Sequence, residues 1–111
     1  MRLPSATRFV DERLRKAFYV LEKGDDSERA LFQSINHAMD RIEEDAFRGV
    51  QIPKALIPKG YSVVYTIVNL WKYNLPHGWR LLYSIKKEEV IVVAIILEWF
   101  SHKEYERRFK Y

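Results

Sequence analysis

Asn69-Leu70-Trp71-Lys72-Tyr73-Asn74-Leu75-Pro76-His77-Gly78-Trp79-Arg80-Leu81-Leu82-Tyr83 reads as a β-hairpin. Two alternating runs flank Pro76-His77-Gly78, residue types that favour a tight loop. If those three residues form the loop, Leu75 lies opposite Trp79, Tyr73 opposite Leu81 and Trp71 opposite Tyr83. One face then carries six large apolar or aromatic side chains, which stabilise a sheet as cross-strand pairs. The other face carries Lys72, Asn74 and Arg80, with Arg80 opposite Asn74. A slip of one residue would push Lys72 and Arg80 into the core, where desolvation forbids them. The register therefore separates core from chemistry.

Working outward, 111 residues suffice for one domain with a core that needs no staples. The absence of Cys excludes disulfides, thiolate chemistry and Cys-rich metal sites. Val90–Leu97 is eight apolar residues, a buried strand rather than a membrane span. Met1-Arg2-Leu3-Pro4 lacks the apolar core of a signal peptide, so the expected location is the cytoplasm. The net charge of +4 is uneven. Residues 1–45 hold 8 Lys/Arg against 10 Asp/Glu, and residues 88–111 hold 4 against 5. Residues 46–87 hold Arg48, Lys54, Lys59, Lys72, Arg80, Lys86 and Lys87 with no acid. Such a segment fits a surface that meets an anion, phosphate being the common one, and equally a solvated basic surface without a partner.

Residues 5–23 read as a helix capped by Ser5 or Thr7, with Phe9, Val10, Leu14, Ala17, Phe18 and Leu21 on one stripe. Lys23-Gly24 stops it, and Asp25-Asp26-Ser27 starts a second helix running to about Phe47. The short connection predicts an antiparallel helical hairpin covering the aromatic face of the β-hairpin. That face is expected to bury Trp71, Tyr73, Trp79, Leu81 and Tyr83. Residues 50–60 read as a loop with two prolines, and residues 61–68 fit a strand, a helical turn or an irregular approach equally. Val90–Phe100 is a strand apolar on both faces, hence interior to the sheet. The tail from Ser101 is charged, with room for a short helical turn. The expected class is α+β: a small antiparallel sheet of three to four strands on an N-terminal helical hairpin.

His37, His77 and His102 stand on three elements without a second ligand at metal spacing, so no metal and no cofactor is expected. No phosphate loop or nucleophile motif occurs. Lys72, Asn74 and Arg80, with His102, Lys103 and Tyr105 beyond the last strand, compose an RNA-cleaving set. Attack of a ribose 2′-hydroxyl on its phosphate needs a base, an acid and cations for the more negative transition state. Arg suits the cation role, because its planar fork matches phosphate oxygens and never loses its charge. The other reading of the same residues is a pair of exposed strand cations and a tail pinned by Tyr105 and Phe109. Residue types leave both open.

Leu70-Trp-Lys-Tyr-Asn-Leu75 and Gly78-Trp-Arg-Leu-Leu-Tyr83, followed by Ser101-His-Lys-Glu-Tyr105, resemble the RelE/ParE toxin superfamily, the RelE and HigB side most. The resemblance implies a sheet on a helical hairpin and metal-independent cleavage of mRNA on the ribosome, held off by a cognate antitoxin protein. It assigns Lys72 and Arg80 to the scissile phosphate and Tyr105 to catalysis or base stacking. His102 and Lys103 fall where relatives place a His, Lys or Arg. Lys54, Lys59, Asn74, Lys86 and Lys87 are the expected RNA contacts. Asn74 replaces a second strand lysine of RelE, and the usual N-terminal strand is short or missing. The rival readings are a ParE-like poison of DNA gyrase and an inactive RNA-binding relative.

Overall fold

A computed structural model describes residues 4–88 and 91–109. The chain begins with a strand, β1 (Ser5–Phe9), where a helix is expected from the apolar spacing. Helix α1 (Glu12–Glu22) starts only at Asp11, whose carboxylate accepts from Leu14 N at 2.8 Å. A cap with an acid behind it sets the helix start more firmly than Ser5 or Thr7. Helix α2 (Asp26–Glu44) opens with the expected Asp25 cap, here a full capping box with Glu28. It ends three residues early, at Asp45, which caps a 3₁₀ turn over Ala46–Arg48. Strand β2 (Val50–Gln51), a 3₁₀ turn (Lys54–Leu56) and helix α3 (Lys59–Tyr65) occupy the segment expected to be loop and unassigned. Then come β3 (Trp71–Asn74), β4 (Arg80–Lys87), β5 (Val92–Phe100) and α4 (His102–Arg108). Val90 and Glu89 lie outside the described residues.

The sheet has five strands in the order β1-β5-β4-β3-β2 and is mixed, which corrects the expected three to four antiparallel strands. The extra strands are β2 and β1, and β1 runs parallel to β5. A strand apolar on both faces needs neighbours at both edges, and β1 supplies the second one for β5. The hairpin register is as read: Trp71↔Tyr83, Tyr73↔Leu81 and Asn74↔Arg80. Asn69 extends it through its side chain. The amide donates to Ile85 O at 2.9 Å and accepts from Ile85 N at 2.8 Å, standing in for another rung of β3.

Helices α1 and α2 cover one face of the sheet. Phe18 stacks on Phe32 at 4.5 Å between the helices, and Leu81 and Tyr83 are fully buried beneath them. Trp71, Tyr73 and Trp79 pack against this core but are only half-buried, since β3 is flanked on its outer side by the two-residue β2 alone and Trp79 follows the turn. Tyr83 ties the sheet to the chain after α2. Its hydroxyl donates to Ala46 O at 2.9 Å and accepts from Gly49 N at 3.1 Å. Burial pushes this phenol up to about 12. A side chain at Gly49 would meet the Tyr83 hydroxyl at 2.5 Å and Lys72 O at 2.6 Å, so the close approach requires glycine.

The opposite face holds a second core under α3 and α4, with Leu70, Leu82, Leu97, Tyr105 and Phe109 buried. Pairing passes from Leu82↔Glu98 to Tyr83↔Ile96, leaving Leu97 as the extra residue of a bulge. Leu97 and Glu98 therefore both belong to this face. Glu98 is the anchor of α4: Arg108 pairs with it, donates to Tyr61 OH at 3.3 Å, and bonds Glu104 at 3.0 Å. Among the described residues no helix is long and apolar enough to cross a membrane.

Candidate anion-binding site

Alternation along β3 and β4 sends Lys72, Asn74 and Arg80 to the face that α4 covers. Ser101 caps α4 and turns the chain straight back from the end of β5, opposite Arg80 in the sheet. In a helix beginning there, Tyr105 and Phe109 share the inward side, one turn apart. Their rings stack at 4.7 Å. Tyr105 is 3% exposed.

Two cations converge on that tyrosine. Lys72 Nζ donates to the Tyr105 hydroxyl at 3.0 Å and lies 4.8 Å from the ring centroid. Arg80 Cζ lies 5.1 Å from the same centroid. Arg80 Nη1 donates to Gly78 O at 2.6 Å, and its buried Nε has no hydrogen-bond partner among the described residues. Neither cation is ion-paired among the described residues, whereas Arg107 and Arg108 on the same helix both bind carboxylates. Half-buried cations without a counter-charge carry an uncompensated desolvation cost, and an anion at the site removes it.

His102 closes the far side. Its Nδ1 lies 3.4 Å from Arg80 Nη2, and its Nε2 pairs with Glu106 one turn along α4. The tautomer with its proton on Nε2 satisfies both contacts, donating to Glu106 and accepting from Arg80. Both ring nitrogens are thereby engaged by the protein. The hairpin tip touches this residue directly. Gly78 has φ +80, and a Cβ there would lie 2.8 Å from His102 Cβ.

The structure thus brings together Lys72, Arg80, His102 and Tyr105 and leaves the other expected site residues elsewhere. Asn74 is exposed beside Arg80. Lys103 is exposed and two helical positions before Tyr105, so it projects roughly 200° away from it. Lys54 and Lys59 are exposed on the short elements after β2, the strand paired with Lys72. Lys86 and Lys87 sit at the opposite end of β4, roughly 20 Å of strand from Arg80. The acid-free segment therefore does not form one surface: Lys86 and Lys87 lie apart from Lys72 and Arg80, and Arg48 is paired with Glu44. Burial of Tyr105 also leaves no open ring face for a nucleobase.

Sequence reasoning did not single out Glu106 or the Gly78–His102 contact. The i,i+4 spacing of His102 and Glu106 on a helix was the available signal for the first. The second joins residues of two elements and has no local signature. No family model, no curated protein and no solved structure matches this chain. Among the described residues no group of three or more His, Asp or Glu could hold a metal ion.

Proposed function

We propose that the protein is a RelE-like endoribonuclease whose site grips a phosphodiester between Lys72 and Arg80. The observation that carries this reading is the convergence of two half-buried cations on one tyrosine, Lys72 on its hydroxyl and Arg80 over its ring. In the reaction, the ribose 2′-oxygen attacks phosphorus and the 5′-oxygen leaves with a proton, producing a 2′,3′-cyclic phosphate. Arg80 neutralises the non-bridging oxygens as charge builds on them, and Lys72 holds the same side. Tyr105 relays the proton from the attacking 2′-hydroxyl to the leaving 5′-oxygen, since its hydroxyl is bonded to Lys72 at the site while both His102 nitrogens are occupied. His102 then positions Arg80. The substrate is mRNA in the ribosome, the compartment is the cytoplasm, and the partner that restrains the enzyme is a cognate antitoxin.

A specific observation favours a second reading, RNA binding without cleavage. Asn74 offers no exchangeable proton of useful acidity, and Tyr105 is almost fully covered. Toeprinting of programmed ribosomes separates the two. Wild-type protein is expected to cut. Arg80→Ala is expected to slow single-turnover cleavage on the order of 10²–10³-fold with ribosome binding retained, and Arg80→Lys to recover part of it. Tyr105→Phe is expected to lose at least as much. Binding without cuts selects the second reading, and gyrase inhibition without either would replace both.

A further inference from the structure

At the other end of the sheet face that carries the cations, two features meet: an unpaired strand edge and a basic groove. Pro4 O accepts from Val92 N at 2.8 Å, and Val10 N donates to Ile96 O at 2.8 Å. The even-numbered residues of β1 therefore bond β5. The N–H and C=O groups of Ser5, Thr7 and Phe9 point outward, where the sheet ends. Inward, the side chains of these three residues are tied to the helical layer. Ser5 Oγ accepts from Ala46 N, Thr7 Oγ1 donates to Glu43, and Phe9 lies 5.2 Å from Phe18. The edge is thus anchored on its inner side while its outward backbone groups have no partner among the described residues, and no proline or bulge interrupts it.

Beside this edge lies a groove of about 540 Å³, whose lining includes Arg8 of β1, Lys86 and Lys87 of β4, and the aliphatic Val68, Ile85 and Ile95. Arg8 pairs in register with Ile95, which pairs with Ser84, so the floor runs across three strands. Three cations and no carboxylate line it among the described residues. Val68 at its rim is 77% exposed, and Val63 and Val64 on the preceding helix are 82% and 70% exposed. Of these three, Val68 is the one that lines the groove, where it adds an exposed aliphatic rim.

We infer that the β1 edge and this groove dock an extended, acidic and aliphatic segment of another protein, added to the sheet as a sixth strand. Main-chain pairing with Ser5, Thr7 and Phe9 supplies the attachment. Because side chains alternate along a strand, every second residue of the segment falls on the groove side. Aliphatic residues there meet Val68 and Ile95, and carboxylates meet Arg8 and Lys86, since Ile85 and Lys87 alternate to the helical side of β4. Charge sets the occupant. A second copy of this chain would bring another Arg8 to the same edge, like against like. Single-stranded RNA needs a series of aromatic platforms, and of the two aromatic residues at the groove Phe9 packs its ring against Phe18 in the helical layer, which leaves Tyr65 alone. The inference is independent of the nuclease reading, whose residues lie at the far end of β4.

The test uses the full chain, isotope-labelled, and as probe a blocked octapeptide Glu-Thr-Val-Thr-Glu-Thr-Val-Thr (the Glu-Val peptide), whose Glu and Val share one face of a strand, with the same peptide carrying Lys for Glu (the Lys-Val peptide) and hexauridylate as comparisons. The Glu-Val peptide is expected to shift the groove amides and slow hydrogen exchange at Ser5, Thr7 and Phe9, leaving Ala6 and Arg8, already paired to β5, unchanged. Arg8→Glu and Lys86→Glu, both at exposed positions, are each expected to weaken binding on the order of tenfold without altering amide dispersion. Equal binding of the Lys-Val peptide overturns the inference. So does an effect confined to Lys72, Arg80 and α4, a response of the groove to hexauridylate alone, dimerisation through β1 in sedimentation, or no response at millimolar peptide.

Discussion

Gly78→Ala tests the joint between the hairpin tip and the cation site. Its φ of +80 is a conformation that an L side chain adopts at a cost of about 1–2 kcal/mol. The new Cβ would also lie 2.8 Å from His102 Cβ, an atom fixed to the first turn of α4 rather than the end of a flexible chain. Relieving such overpacking costs about 1–3 kcal/mol more. The total, about 2–5 kcal/mol, is a large part of the 5–15 kcal/mol typical of a domain this size. Urea denaturation followed by the fluorescence of the three tryptophans measures it. Gly60→Ala is the control, since a Cβ there meets nothing within 4 Å and the residue lies in α3 with an ordinary φ. It is expected to be neutral or to stabilise by up to about 1 kcal/mol. His102→Gly in the Gly78→Ala background removes the second Cβ and is expected to restore about 1–3 kcal/mol as a coupling energy. A cost below about 1 kcal/mol for Gly78→Ala, or no coupling to His102, refutes the contact and with it the account of how α4 is seated over Arg80.

Tyr83→Phe leaves Ala46 O and Gly49 N unmatched in a buried place, so it is expected to cost about 1–3 kcal/mol at neutral pH. Folding raises this phenol from 10.0 to about 12, so the wild-type advantage is complete below pH 10. It shrinks by about 1.4 kcal/mol per pH unit as pH climbs from 10 toward 12, and a constant difference across that window contradicts the assignment. Trp79→Ala is expected to cost roughly 2 kcal/mol, about half the value for a fully buried ring, because the side chain is half-buried. A loss above about 4 kcal/mol in the same denaturation assay would show the tip to be fully covered. Ribosome or RNA affinity is expected to fall steeply with salt, and Lys59→Glu to weaken it more than Arg13→Glu on α1. Equal effects in a filter-binding titration would remove Lys59 from the contact surface.

Local patterns carried the sequence reading as far as local physics reaches. The hairpin register, the two N-terminal helical stripes, the Asp25 start and the interior position of β5 all rest on side-chain period and desolvation, which a few neighbouring residues determine. The same patterns placed Lys72 and Arg80 on one face and away from the core. Residues 5–9 form a strand although their apolar spacing also fits a helix. Their strand exists through pairing with β5, more than eighty positions along the chain, and no window of sequence contains that partner. Helix α3 was equally out of reach, since it is held by Tyr61 and Phe109, 6.0 Å apart, across the second core. For the site, sequence supplied the residue types, and only the tertiary structure decided their company. A bulge at Leu97 and a cap at Ser101 return α4 over the sheet, so Tyr105 meets Lys72 and Arg80 while Lys103 turns away. The length of β4 carries Lys86 to the other end of the same face and Lys87 to the opposite face. Charge counted along the chain is additive, but whether two cations share an anion depends on distances that folding alone creates.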